Sequence, residues 1–165
     1  MEDVKGRADD RGVRLDRAGV RGLRYPIVVL DREREKQHTI ATLSMSVGVP
    51  HDEKGTHMSR FVEVLNEHRG EVTMNTLPAI LHRVLEHLDA DSARVEMEFP
   101  YFMERSAPAS GATGLMDYEC RFVAEATNDQ DDFVLGVKVP VTSLCPCSKA
   151  ISDYGAHNQR GHIRM

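Results

Sequence analysis

Cysteine is scarce in this chain, long apolar runs are absent, and acidic residues outnumber basic ones. Three cysteines in 165 residues are too few for a disulfide framework, and the odd number fits reduced thiols. No apolar run approaches the roughly 20 residues that cross a bilayer, and the first 24 residues mix Arg, Asp and Gly without the apolar stretch of a secretory leader. The expectation is a cytoplasmic protein with no membrane partner. The 21 Lys and Arg against 26 Asp and Glu leave a formal net charge of -5. That balance lacks the global basic footprint of a nucleic-acid binder, yet local Arg patches remain able to hold a compact polyanion such as a phosphorylated small molecule. What is present, 41% hydrophobic and 28% charged residues, is ordinary for one soluble domain with a core.

Residues 1–23 carry charges of both signs and few apolar side chains, so they read as a mobile arm, with docking on a neighbouring subunit as its functional reading. Pro26, Ile27, Val28, Val29 and Leu30 predict a strand, and Asp31 to Lys36 its turn. Ala41, Leu43, Met45, Val47 and Val49 alternate with Thr42, Ser44, Ser46 and Gly48, a period of two that pairs a core face with a face of small hydroxyls. Met58, Phe61, Val62 and Leu65 then follow helical spacing, with Thr56 as cap and an end near Gly70. Leu77, Ile80, Leu81, Val84, Leu85 and Leu88 predict a second helix, capped by Asn75 or Thr76 with Pro78 in its first turn. Further strands are predicted at Val95 to Tyr101, at Tyr118 to Ala124 after a Ser/Gly/Pro-rich loop, and at Phe133 to Val141; another opens at Gly161. Strand, strand, helix, helix, strand, strand is an α+β unit, an antiparallel sheet backed by two helices.

The densest chemistry lies between Val139 and Arg160. Cys145 and Cys147 sit two apart around Pro146, which on a strand-like backbone aims both thiols to one side. His157 follows ten residues after Cys147, past Gly155 and Ala156, where the backbone can bend close. Thiolate and imidazole suit Zn²⁺ or a related ion, and two or three protein ligands plus water is the catalytic pattern. The spacing matches no zinc finger, and Asp153 is the one acidic residue of the loop. A pair of inert thiols and a redox dithiol are the competing readings; the latter usually takes the form Cys-x-x-Cys at a helix start. His57 and Arg60, in the first turn of the first helix, can seat a phosphate at free backbone N–H groups, or can be ordinary surface polar residues. His82 and His87 have no role assigned, and Cys120 alternates with core positions as a packing residue.

Taken together, Gly22-Leu-Arg-Tyr-Pro26, Gly55-Thr-His-Met-Ser-Arg-Phe61, Phe99-Pro-Tyr-Phe102 and the motif from Pro140 through Cys145-Pro146-Cys147-Ser148-Lys149 to Gly155-Ala156-His157-Asn158-Gln159-Arg160 resemble GTP cyclohydrolase IB. The resemblance covers everything after the N-terminal arm. It implies a tunnelling fold (T-fold) of tandem strand-strand-helix-helix-strand-strand units, assembled through barrels into a homo-oligomer, a tetramer of barrel dimers, with active sites at subunit interfaces. It implies conversion of GTP to 7,8-dihydroneopterin triphosphate and formate, the first step of tetrahydrofolate biosynthesis, with bound Zn²⁺, Mn²⁺ or another divalent ion activating water for attack on guanine C8. By motif, Cys145 and His157 match the metal-binding residues. Cys147, Ser148 and Lys149 fall beside the metal or the substrate, and His57, Arg60, Lys149 and Arg160 are candidates for the triphosphate.

The expected organisation is an arm over 1–23, a first T-fold unit over 24–128, and the start of a second over 129–165 with its active-site loop at 142–160. Family members extend beyond the position of Met165 and carry there a glutamate metal ligand and a guanine-anchoring glutamate. The expectation is therefore a truncated second unit, inactive as an isolated chain. Two other functions compete: another T-fold enzyme, such as a nitrile reductase of queuosine biosynthesis, and a non-catalytic assembly module in which Cys145, Cys147 and His157 hold a structural metal.

Overall fold

The computed structural model describes residues 10, 12–53, 55–68, 71–73, 75–154 and 156–165. In chain order it contains β1 (Leu15–Asp31), β2 (Glu35–Val49), α1 (Met58–Glu67), α2 (Leu77–Leu88), β3 (Ser92–Ser106), β4 (Thr113–Thr127), β5 (Asp131–Leu144), α3 (Pro146–Ile151) and β6 (Asn158–Arg164). The six strands form one sheet in sequential order, antiparallel where β1 meets β2, β2 meets β3 and β5 meets β6. The α+β class follows. Among the described residues no helix is long and apolar enough to cross a membrane.

The chain divides into two compact units that do not follow the expected boundaries. One comprises residues 1–99 and 121–135, the other residues 100–120 and 136–165. The division cuts through β3, β4 and β5, and strand length accounts for it. Fifteen residues of strand span about 50 Å, whereas a 12-residue helix spans about 18 Å. Among the described residues no helix is long enough to span a 15-residue strand.

In the first unit, α1 and α2 bury the apolar face of the sheet. Phe61, Val64 and Leu65 of α1 and all six stripe residues of α2 are buried, together with Leu43, Met45, Val47, Val95, Met97 and Phe122 from the strands. Each such side chain contributes about 1.5–3 kcal/mol by leaving water. Phe99, Phe122 and Phe133 stack edge to face, with centroids 5.0 and 5.4 Å apart. Thr76 is the N-cap of α2 and Pro78 lies in its first turn, while Asp89 closes the helix in the left-handed conformation at φ 49°. The cap of α1 differs from expectation: His57 takes it, and Thr56 is buried just before. Gly70, the expected end of α1, lies outside the described residues, and α1 stops at Glu67.

The opposite face of this sheet carries a charge ladder. Arg94 pairs with Glu96 and Glu125, Arg121 with Glu96 and Glu98, and Arg17 with Glu125. Ser44 and Ser46 of β2 stand in register with Glu96 and Arg94, so the small hydroxyl face leaves room for these long side chains. Arg121 as hydrogen-bond donor is the main cause holding the Glu96 carboxyl below its ordinary range.

The arm expected over 1–23 is corrected from Leu15 onward, because β1 starts there and pairs with β2 as far as Val49. Residues 1–9 and 11 lie outside the described residues. Two register shifts, between Leu15 and Ala18 and between Val20 and Leu23, break the alternation. Half-buried positions accordingly run 18 and 20, then 23 and 25, which conceals the period of two. Gly22 supplies φ +72° at the second shift. At Gly19 a Cβ would lie 1.9 Å from the Met45 carbonyl oxygen, so only glycine lets the strands approach.

The second unit is built on a hairpin. Lys138 pairs with Arg164, Val139 with Ile163, Pro140 with His162, Thr142 with Arg160 and Leu144 with Asn158. Lys138 Nζ donates to both carboxylate oxygens of Glu119 at 2.7 and 2.8 Å, and the Arg105 guanidinium lies 5.9 Å from the Tyr118 ring centroid. Among the described residues of this unit Cys120 is the buried one, and burial pushes its thiol pKa up, in keeping with its packing role.

Candidate metal and substrate loop

The segment that closes the β5–β6 hairpin, residues 145–157, holds most of the candidate chemistry. The strands end on the Leu144 and Asn158 pair, which brings the next two residues, Cys145 and His157, face to face at the neck. The Cys145 backbone N–H donates to the His157 carbonyl at 3.3 Å. Residues twelve apart in sequence thus become neighbours through strand register alone.

Within the segment the chain forms α3, an element absent from the sequence reading. Cys145 is its N-cap, with extended φ -74° and ψ 112°, and Pro146 occupies the first turn, where its missing N–H costs nothing. The Lys149 N–H donates to the Cys145 carbonyl at 3.1 Å, closing the first turn. This corrects the expectation that Cys145 and Cys147 present their thiols to one side. That geometry needs a strand, whereas two steps around a helix turn the side chains apart. Ser148, at i+3, is the residue that shares the side of Cys145. Both are half-buried, and Cys147 and Lys149 are exposed. His157 and Arg160 are exposed, and Ala156 is half-buried. Gly155, expected to bend the backbone toward the metal, lies outside the described residues.

His57 and Arg60 belong to the first unit. His57 caps α1, and its carbonyl accepts the Arg60 N–H at 3.2 Å. Arg60 Nη1 donates to the His87 carbonyl at 2.5 Å, one of the C-terminal carbonyls of α2 that have no partner within their own helix. The guanidinium therefore has a structural task as well as its candidate role. Elsewhere in this unit, His82 Nε2 lies 2.9 Å from Asp131 and His87 Nε2 lies 3.9 Å from Glu67.

Among the described residues no group of three or more His, Cys, Asp or Glu side chains is gathered closely enough to hold a metal ion. The segment 145–157 carries four side chains of metal-ligating type, Cys145, Cys147, Asp153 and His157. In the sequence a strand is predicted to open at Gly161 and Arg160 is a named candidate, but no role is given to His162 and Arg164, which repeat with Arg160 at every second position. Read with a period of two, that pattern was available in the sequence.

Comparison with known proteins gives one consistent answer. The family described as type I GTP cyclohydrolase folE2 matches residues 1–165. GTP cyclohydrolase FolE2 of Syntrophotalea carbinolica is 50% identical over 100% of this chain and 62% of its own length. The protein of that name from Geotalea uraniireducens is 52% identical over 97% of this chain and 59% of its own, and that from Syntrophus aciditrophicus 52% identical over 100% and 65%. The chain thus spans about six tenths of the length of these relatives. With its Cys145 and His157 loop lying inside the matched region, the chain belongs to the type I GTP cyclohydrolase folE2 family.

Proposed function

We propose that the protein is a metal-dependent GTP cyclohydrolase of type IB, converting GTP to 7,8-dihydroneopterin triphosphate and formate in the cytoplasm. The observation that carries this reading is the neck of the β5–β6 hairpin, where the backbone hydrogen bond at 3.3 Å sets Cys145 against His157. Thiolate and imidazole on facing strand ends are a donor set fit for Zn²⁺ or Mn²⁺. A carboxylate, as the family resemblance implies, would complete the set. A divalent ion held there supplies Lewis-acid activation of water.

The chain's own residues do the rest. Pro146 and the first turn of α3 hold Cys145 in a single backbone conformation, which orients the thiolate. Ser148, on the same side, is placed to hydrogen-bond to that thiolate or to substrate, and the exposed Cys147 and Lys149 line the approach. Lys149 and Arg160 offer cations to the triphosphate. His57 and Arg60, at the start of α1, are the remaining triphosphate candidates.

The tandem T-fold belongs to the same proposal. In β5 and β6, Val137, Val139 and Ile163 share one side of the hairpin, opposite the Lys138 that pairs with Glu119. Ile163 is 51% exposed. An apolar sheet side of this kind is what the helices of a second unit would cover, and a homo-oligomer built from such barrels is the assembly expected.

Metal-loaded protein incubated with GTP is expected to develop pterin fluorescence that chelation abolishes and metal restores in a still-folded sample. Full turnover in Cys145→Ala would overturn the reading. Unfolding on chelation, without catalysis in the loaded state, would favour a structural metal module instead.

A further inference from the structure

We infer that Ser143 and Gln159 form a polar rung beside Cys145 and His157, with Gln159 as the positioning residue that accepts the imidazole N–H of His157 when an ion is bound. The inference rests on the metal-dependent reading of Cys145 and His157, and its geometry comes from strand register. Val137 and Met165 exchange both backbone hydrogen bonds, each at 3.0 Å, which makes them a hydrogen-bonded pair. Pairing then runs without a shift from Lys138 and Arg164 to Leu144 and Asn158, so every second pair is of the same kind. Pro140, which has no N–H to give, falls on one of the intervening pairs. The hydrogen-bonded series is therefore Val139 with Ile163, Val141 with Gly161 and Ser143 with Gln159, and the bond from the Cys145 N–H to the His157 carbonyl continues it.

Two steps along a strand return to the same side, so Ser143 and Gln159 share the side of Cys145 and His157. Opposite partners stand about 5.5 Å apart and successive rungs about 6.8 Å apart, a four-cornered patch that a glutamine side chain can reach across. Ser143, Gln159 and His157 are exposed. The next two rungs on this side, Val141 with Gly161 and Val139 with Ile163, carry no polar side-chain atom. Ser143 and Gln159 are thus the polar pair nearest the two donors along the strands. A histidine that ligates through one ring nitrogen donates the N–H of the other to an acceptor, which fixes the ring and its tautomer. The Gln159 amide oxygen supplies that acceptor from the same strand, and the Ser143 hydroxyl, facing the amide across the ladder, holds its orientation.

Competition titration of Zn²⁺ against a chromophoric chelator tests this. Gln159→Ala is expected to weaken Zn²⁺ binding about 10–100-fold, and Ser143→Ala about 2–10-fold. Gln159→Glu, whose carboxylate accepts the same N–H, should recover most of the loss. Thr142→Ala, on the opposite side of β5, should leave the affinity unchanged. In Co²⁺-loaded Gln159→Ala the thiolate charge-transfer band should persist while the ligand-field bands shift, because the ion stays on Cys145 and the imidazole loses its orientation. Circular dichroism melting reports whether each variant is folded. Unchanged Zn²⁺ affinity in folded Gln159→Ala, an equal loss in Thr142→Ala, or no recovery in Gln159→Glu overturns the rung and leaves the reading of Cys145 and His157 standing. No ion binding by the parent protein overturns both. Loss in Gln159→Ala with recovery in Gln159→Glu, in a protein that forms no pterin from GTP, supports the rung and defeats the cyclohydrolase reading.

Discussion

The strands of the first unit and the β5–β6 hairpin are written in the same alternating code, yet they have opposite fates. Met45 and Val47 retain 1% of their surface, whereas Ile163 retains 51% and Leu144 48%. Hydrophobic periodicity makes a strand amphipathic; a covering layer makes its apolar side a core. In the first unit α1 and α2 provide that layer. In the hairpin the backbone ladder holds the geometry, and the side chains of 136–144 and 158–164 are half-buried or exposed.

The largest expected effect falls on the hairpin. Cys145→Ala should weaken divalent-metal binding by more than about 100-fold, beyond the 10–100-fold typical of a group that only supports a ligand. Cys147→Ala, whose thiol α3 turns aside, should change it by less than about 10-fold. Equilibrium dialysis with metal analysis measures both, and equal losses would erase the distinction drawn from α3.

Stability effects should concentrate in the helix-covered unit. Phe61→Ala is expected to cost about 3–5 kcal/mol in urea denaturation, and Ile163→Ala less than about 1 kcal/mol because half its surface is already in water. Comparable costs would mean that β6 is covered in solution. Gly19→Ala, forced against the Met45 carbonyl, should cost about 1–3 kcal/mol. Smaller again, Arg60→Ala gives up the bond to the His87 carbonyl and should cost about 1–2 kcal/mol. No stability loss there would free the guanidinium for a purely substrate-directed role.

The smallest effect concerns acid. The carboxyl of Glu96, held low chiefly by Arg121, favours the folded state above its ordinary value of 4.5. That contribution is lost as pH falls from there through the lower folded value. Glu96→Gln should remove about 0.5 kcal/mol at neutral pH and flatten the acid limb of stability below pH 4.5, read by denaturant titration across pH. An unchanged acid limb would show that the charge ladder is incidental.

The two regions also differ in how far they could be read in advance. The stripe of α2 was legible residue by residue, because six apolar side chains at helical spacing leave one face to bury. Leu15 to Leu23 was not, because two bulges shift the parity of its apolar residues, and mixed charge then resembles an arm. In the site, the sequence reading singled out both Cys145 and His157. Their facing arrangement depends on strand register, a long-range property that no local pattern encodes. It also missed α3, a six-residue helix begun at a cysteine rather than at a usual capping residue.

Composition and periodicity were enough, by themselves, for the α+β class and for the order of the strands and the two longer helices. Each depends on side-chain type and near-neighbour spacing, which the linear chain states outright. Only the tertiary structure decided that Cys145 and His157 meet at a hairpin neck and that Ser148 rather than Cys147 shares the side of Cys145. Those outcomes depend on hydrogen-bond register between strands and on the turn of a short helix, where a shift of one residue reverses which side chains face each other.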